Sequence, residues 1–358
     1  MKNILIASYN LDFGGIEKSL INLLKHLDLT KYKVTLVLEE KKGVFLKDLP
    51  KGIVIKEYKV SDNKIFFIRK IINLIKRINW ILKNYNNYDA SICYATYSIP
   101  CSFVARTSSK NKILYIHSNY LNVYDKDINM IKNFFNTRKI SSYSKIIFVS
   151  NESKKDLVQI YPEIEKKSYV INNFVDEKSI LEKANKKITI DTNKKIVLFV
   201  GRLEEKAKKI TRIIEVANKM KKSNVEFWIV GDGKDKKEYK KMISDYKLTN
   251  VKLLGAKSNP YPYMKRCDIM ILTSDYEGFP VVYNESIVLN KPILSTIDVS
   301  DDVISIPNRF GIITKNDVES IYTELKNMLR KKYVIKEKVN FNDINKRRLN
   351  ELEKLLES

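Results

Sequence analysis

Residues 267–290 run CDIMILTS, DYEGFP, VVYNESIVLN: a short apolar run, a loop holding Gly278 and Pro280, and a helix-like stretch that carries Glu285 in register with the loop acid Glu277. An apolar run bounded by turn residues, with no polar alternation, reads as a strand buried on both faces. A strand that opens through a glycine-containing loop into a helix directs backbone N–H groups, and the positive end of the helix dipole, beyond its own carboxyl end. That is a place for a phosphate. Pro280 is expected in the first helical turn, where its missing N–H is not needed, so that Gly278 and Phe279 supply the free amides before it. Glu285 is then placed to accept hydroxyl protons from a ribose, and Glu277 lies where a sugar would sit. The competing reading is two solvated acids at a helix start.

The alternation continues on both sides of this stretch. The first half runs NILIAS, GIEKSLINLLKHL, KVTLVLE, a long basic helix expected over about 64–88, ASICYAT, KILYIHS and KIIFVS. A second series runs KIVLFVG, ITRIIEVANKM, VEFWIVGDG, KKEYKKMISDY, VKLLGA, DIMILTS and KPILST. Strands alternating with helices imply parallel sheets covered on both faces. The expected class is therefore α/β, with two Rossmann-like doubly wound domains at 1–172 and 195–335. A polar linker is expected at 173–194, and an amphipathic helix over 336–358 that could cap either domain.

At 358 residues the chain is too long for one compact core and suits two domains. No apolar run reaches the roughly 18 to 20 residues needed to span a bilayer, and the start MKNILIASYN turns polar too early for a signal peptide. A cytoplasmic protein is expected. The 3 cysteines show no C-x-x-C spacing, which suggests neither a disulfide framework nor a zinc site. A formal charge of +24 asks for an anionic partner. Nucleic acid, an anionic membrane surface and a lysine-rich surface without a partner compete for it. No helix-turn-helix, zinc finger or aromatic RNP motif is present, which argues against nucleic acid.

Further candidates sit at strand ends. Paired Gly14 and Gly15 follow the first strand and let a backbone approach a ligand closely, or simply form a tight turn. Gly201-Arg202 ends the first strand of the second series, with Lys206, Lys208 and Lys209 behind it; an Arg and a Lys there would neutralise a diphosphate. Gly231-Asp232-Gly233 lacks the third glycine of a dinucleotide fingerprint. Of the 2 histidines, His26 lies on a helix and reads as structural, while His117 ends the strand KILYIHS at an edge where ligands bind. Asp125-Lys126-Asp127 follows no clear strand and is rejected as a metal-binding D-x-D.

In this order GGIEKSLINLL, YIHS, VSN, VINNFVD, FVGRLEEKAKKITRIIEVA, WIVGDG, SDYEGFPVVYNES and NKPILST resemble the retaining glycosyltransferases of family 4 (glycosyl transferases group 1), whose GT-B fold sets two Rossmann domains across a cleft. The resemblance covers about 2–330, and its most specific parts are Glu277 with Glu285 and Arg202 with Lys208. It implies transfer of a sugar from a nucleoside diphosphate sugar, expected to be a UDP-sugar, to a glycan, lipid-linked or other hydroxyl acceptor, as in cell-surface polysaccharide or glycoconjugate synthesis. It implies no cofactor and no metal. Glu277, His117, Arg202 and Lys208 fall on catalytic positions; Gly14, Gly15, Gly201, Gly278, Phe279, Pro280 and Glu285 join Arg202 and Lys208 on donor-binding ones. Two departures stand out. The usual Lys-Gly pair is missing, so Lys208 is identified by its spacing to Ile213-Ile214, and Asn173-Phe174 replaces Asn-Gly, which leaves the role of Asn173 open. A nucleotide-sugar epimerase of the same architecture and a basic nucleic-acid-binding protein are the alternatives.

The long basic helix adds a membrane question. At helical spacing Arg69, Lys70, Asn73, Lys76, Arg77 and Lys83 gather on one face, with Phe67, Ile71, Leu74, Ile75, Ile78 and Leu82 opposite. The apolar face is expected to pack on the first sheet and leave the cations in water, where the same basic face could still lie on anionic lipid at the inner side of the cell membrane, with Phe66 and Trp80 as interfacial anchors.

Overall fold

The computed structural model describes residues 1–190, 192–298, 309–331, 333–335 and 337–357, and divides into two compact units. One unit comprises Met1–Phe174 and Asn345–Ser358; the other is Val175–Ile344.

The first unit is built on a parallel sheet of β1 (Lys2–Ser8), β2 (Tyr32–Leu38), β3 (Val54–Glu57), β4 (Ala90–Cys93), β5 (Asn111–Ile116), β6 (Lys145–Phe148) and β7 (Ser168–Val170), in the order β3-β2-β1-β4-β5-β6-β7. The second holds β8 (Lys195–Val200), β9 (Val225–Val230), β10 (Val251–Gly255), β11 (Ile269–Leu272), β12 (Ile293–Ser295) and β13 (Gly311–Ile313), ordered β10-β9-β8-β11-β12-β13. Helices cover both faces, which is why the central strands are predominantly apolar; every residue of β4, β9 and β11 is buried. Glu226 is the one acid in β9, and it is met there by Trp228 Nε1 at 3.0 Å and Lys252 at 2.8 Å. In each sheet the winding reverses once, between β1 and β4 and between β8 and β11. The crevice beyond the carboxyl ends at such a reversal is where doubly wound sheets bind ligands.

The expected linker at 173–194 holds a helix, Glu177–Ala184, capped by Asp176, and its Ile180 and Ala184 belong to the core of the second unit. Within the helix only those two positions are apolar and buried, so the composition of the segment hid it. Asn173 is buried in the first unit: its Oδ1 accepts from Ser19 Oγ at 2.6 Å and its carbonyl from Arg348 Nη1 at 2.7 Å. Arg348 lies on the last helix, Phe341–Glu357, which starts with Phe341 and Ile344 in the core of the second unit and continues from Asn345 as part of the first.

The basic helix spans Phe66–Asn84, and its apolar face does not pack on the sheet as expected. Part of its polar side faces inward: Asn73 Oδ1 accepts the Ser61 amide at 2.7 Å, Lys76 Nζ reaches the Lys59 carbonyl at 2.8 Å, and Trp80 is buried against Tyr58 with Nε1 on Ser108 Oγ, while Lys70, Arg77 and Lys83 stay exposed. Trp80 is therefore no interfacial anchor. Apart from Trp80 and half-buried Ile72 the apolar residues are exposed, and the neighbouring loop meets the helix with backbone polar groups at Ser61 and Lys59.

Candidate functional site

In the second unit the loops leaving β8 and β11 are tied together at the reversal of the sheet. Thr273 Oγ1 donates to the carbonyls of Lys208 and Lys209, and the Asp275 amide donates to the Ala207 carbonyl. Asp275 is paired in turn with Arg212 at 2.6 Å and Lys209 at 3.5 Å. This lacing brings Lys208 Nζ onto Glu277 Oε1, where Ser274 Oγ also donates at 2.8 Å. The two side chains are only 21% and 12% exposed, so the pair is shielded from bulk water and its electrostatics are stronger than those of a surface pair. Lys209, in the place where the resemblance has glycine, holds φ 48°, a left-handed conformation that glycine adopts most readily.

Arg202 is exposed on the adjoining loop, next to Gly201. The loop is shaped by Gly231 and Gly233: a Cβ on Gly231 would lie 1.8 Å from the Gly201 carbonyl oxygen, and one on Gly233 2.2 Å from that of Leu203. Those glycines thus serve close packing of the Arg202 loop, which explains G-D-G without a dinucleotide.

The loop after β11 passes through half-exposed Gly278 and buried Phe279 into the helix Val281–Val288. Pro280 is the cap of that helix rather than its first helical residue, its carbonyl accepting the Tyr283 amide at 3.0 Å. Among the described residues no side chain caps this end, and the helix begins at Val281, one residue later than expected. Glu285 is buried and Oε1 accepts from Tyr261 Oη at 2.7 Å. Buried Asn284 beside it has no hydrogen-bond partner on either amide atom among the described residues.

The remaining candidates belong to the first unit. Gly14 caps the helix Gly15–His26 with an extended backbone and no side-chain bond, and a Cβ on Gly15 would meet nothing within 4 Å. Gly14 is closed in instead, since a Cβ there would lie 1.9 Å from Glu17 Oε2. His117 leaves β5 and lies over Tyr115, ring centroids 4.7 Å apart and nearly parallel, with Tyr94 at 4.4 Å. Burial pulls its pKa down to about 3 against an opposing hydrogen bond to the Tyr94 backbone, so the imidazole is neutral. Its Nε2 is buried and has no partner among the described residues.

The structure thus groups Gly201, Arg202, Lys208, Glu277, Gly278, Phe279, Pro280 and Glu285 in one unit, and Gly14, Gly15 and His117 in the other. Tyr261, Ser274, Arg212 and Asp275 were missed. Ser274 and Asp275 closely precede Glu277 in sequence, a signal that was available; Tyr261 is remote and reaches Glu285 only through the fold. Asp127 caps the helix Ile128–Thr137, accepting the amides of Asn129 and Met130. His26 bridges the Asn22 carbonyl and Asn345. Among the described residues no group of three or more His, Cys, Asp or Glu could hold a metal ion, and the cysteines are buried and free.

Residues 13–179 match the sequence model described as Glycosyltransferase Family 4, and residues 181–348 the one described as Glycosyl transferases group 1. A Campylobacter jejuni protein, N-acetylgalactosamine-N,N'-diacetylbacillosaminyl-diphospho-undecaprenol 4-alpha-N-acetylgalactosaminyltransferase, is 27% identical over 345 residues, covering 92% of this chain and 90% of its own. The poly(ribitol-phosphate) alpha-N-acetylglucosaminyltransferase of Staphylococcus aureus is 28% identical over 212 residues, 57% of this chain and 40% of its own. Among solved structures, Alr3699/HepE from Anabaena in complex with UDP and glucose superposes with a TM-score of 0.78 at 16% identity, covering 99% of this chain and 100% of that one. At that identity the likeness is one of fold.

Proposed function

The chain belongs to the family 4, group 1 glycosyltransferases, with the GT-B fold, and from that membership we propose that it transfers a sugar from a UDP-sugar to a hydroxyl of a glycan or lipid-linked acceptor with retention of configuration. The observation that carries this reading is the Lys208 and Glu277 pair at the reversal of the second sheet, followed by the start of the helix Val281–Val288. A diphosphate needs a cation and backbone donors, and a sugar ring needs a carboxylate to accept its hydroxyls; both are within one laced pair of loops.

In the proposed reaction Lys208 moves from Glu277 to the diphosphate, with Arg202 as a second cation. Both favour the charge that develops on the leaving oxygen as the bond to the anomeric carbon breaks. Glu277, released, orients the donor sugar, while Glu285 accepts the ribose hydroxyls. Neutral His117 is the histidine that the family resemblance assigns to the donor sugar. The acceptor oxygen forms the new bond to the anomeric carbon on the face the diphosphate leaves, and its proton passes to the departing phosphate oxygen. No metal is required, because the two cations do its electrostatic work.

The Campylobacter relative's name specifies an alpha linkage onto a sugar carried by diphospho-undecaprenol, which supports a lipid-linked acceptor and a peripheral position at the inner face of the membrane. The UDP in the Anabaena structure supports the choice of donor base. Thermal stabilisation by a panel of nucleotide sugars, followed by the anomeric configuration of the product, tests the proposal. A UDP-sugar that raises the melting temperature and yields a retained linkage is expected. An inverted linkage, or an altered free sugar nucleotide in place of a linkage, would overturn it.

A further inference from the structure

From the helix Phe66–Asn84 we infer that the first unit docks on an anionic lipid bilayer by immersing an apolar face, not by laying down a basic one. It rests on the membrane placement proposed above and names the lipid class and the face. Along this helix Phe67, Ile71, Leu74, Ile75, Ile78 and Leu82 are all exposed, Phe67 at 75% and Leu82 at 78%. Their spacing puts them on one continuous stripe. Asn73, Lys76, Trp80 and Asn84 occupy the opposite, inward stripe; the first three bond to Ser61, Lys59 and Ser108 of the same unit, and Asn84 is buried. An apolar stripe of this length facing water is rare in a soluble monomer and marks a contact with another apolar phase.

Charge identifies that phase. Lys64, Arg69, Lys70, Lys76, Arg77 and Lys83 lie between Asp62 and Asp89, and no acid lies among them. At helical spacing Lys70 and Arg77 border the apolar stripe on one side and Lys83 on the other. That is the pattern of a helix lying in the plane of the headgroups, with its apolar side toward the acyl chains and its cations among the phosphates. Two copies of this chain meeting through the same face would oppose cation to cation, on a protein already carrying a formal charge of +24. No helix among the described residues is long and apolar enough to cross a membrane, so the contact is one of surface immersion.

The test uses the full chain and vesicles of phosphatidylglycerol and phosphatidylcholine in equal parts, against phosphatidylcholine alone. The variant Leu74→Ser, Ile78→Ser, Leu82→Ser changes only exposed positions. Cosedimentation with the anionic vesicles is expected to persist in part at about 0.5 M salt, where exposed charge pairs are screened. The triple variant should bind about tenfold more weakly or less. Equal binding to both vesicle types, or undiminished binding by the triple variant, would overturn the inference. So would a lipid-free dimer that the same variant dissolves, which would make a second copy the occupant. Calorimetric binding of UDP-glucose on the same samples separates this outcome from failure of the enzymatic reading, since the varied residues lie outside every donor-binding position.

Discussion

The hydroxyl of Tyr261 donates to Oε1 of Glu285 across 2.7 Å, with both residues buried in the second unit. A carboxylate removed from water depends on such a donor, because an unmet charged acceptor carries its full desolvation penalty. Tyr261 thus acts on the donor site through Glu285 without reaching it. Tyr261→Phe is expected to weaken UDP-sugar binding by about 1.5 to 3 kcal/mol while leaving kcat near that of the parent. Calorimetry and steady-state kinetics read the two separately, and a fall in kcat with unchanged affinity would remove Tyr261 from this role.

Lys208 and Glu277 should respond differently when varied alone. Lys208→Met is expected to reduce UDP affinity and Glu277→Ala to slow transfer, each by roughly ten- to a hundredfold. Because they are paired, unfolding free energies in a double-variant cycle should be non-additive, the double change costing less than the sum. Transfer should continue in excess EDTA. Additive stability effects, or activity that returns only with Mg²⁺ or Mn²⁺, would count against the pair as the diphosphate site.

His117 predicts a pH effect with a definite sign. Its folded pKa is about 3, below the ordinary 6.5, so as pH falls below 6.5 the unfolded chain takes up the proton first. Stability conferred by the neutral ring is whole above that pH and declines toward pH 3, by at most about 1.4 kcal/mol per pH unit. His117→Gln should flatten this dependence in urea melts between those limits. A slope identical to that of the parent would mean that Tyr94 and Tyr115 do not exclude water from the ring.

Two glycines should behave oppositely. Gly15→Ala adds a methyl group into open space and is expected to leave the melting temperature unchanged while reducing donor affinity. Gly233→Ala must displace the Leu203 carbonyl, so it should lower the melting temperature by several degrees and disturb Arg202 with it. Full donor affinity in Gly15→Ala would show that no phosphate approaches there.

The two parallel sheets were legible because central strands covered on both faces must be predominantly apolar, as in IMIL and, but for Glu226, VEFWIV. β3, β7 and β13 escaped notice: they are edge strands of three or four residues, and VIKE in β3 is too exposed to show any pattern. The Glu277 to Glu285 stretch was readable in the same way, since a strand, a glycine loop and a helix are local events. Pro280 was misplaced by one residue, because cap and first helical position share the same backbone preference for proline. Tyr261 and the inward stripe of Phe66–Asn84 were not readable, for both depend on which neighbour the fold supplies. Amphipathic spacing says that a helix has two faces, but not which one the body of the protein will take.

Asn173 and Arg348 have a consequence for biosynthesis. The first unit is discontinuous: its last helical segment, whose Leu355 carbonyl takes Lys145 and Asn111, is made only after the whole of Val175–Ile344. A nascent chain that has emerged as far as Phe174 therefore lacks the side chains that cover part of its own core and the guanidinium that meets the Asn173 carbonyl. The unit begun first is completed last, and the second, contiguous along the chain, can close before it. Premature termination ahead of Arg348 would leave the finished second unit attached to an incomplete first, exposing apolar surface that chaperones and proteases recognise.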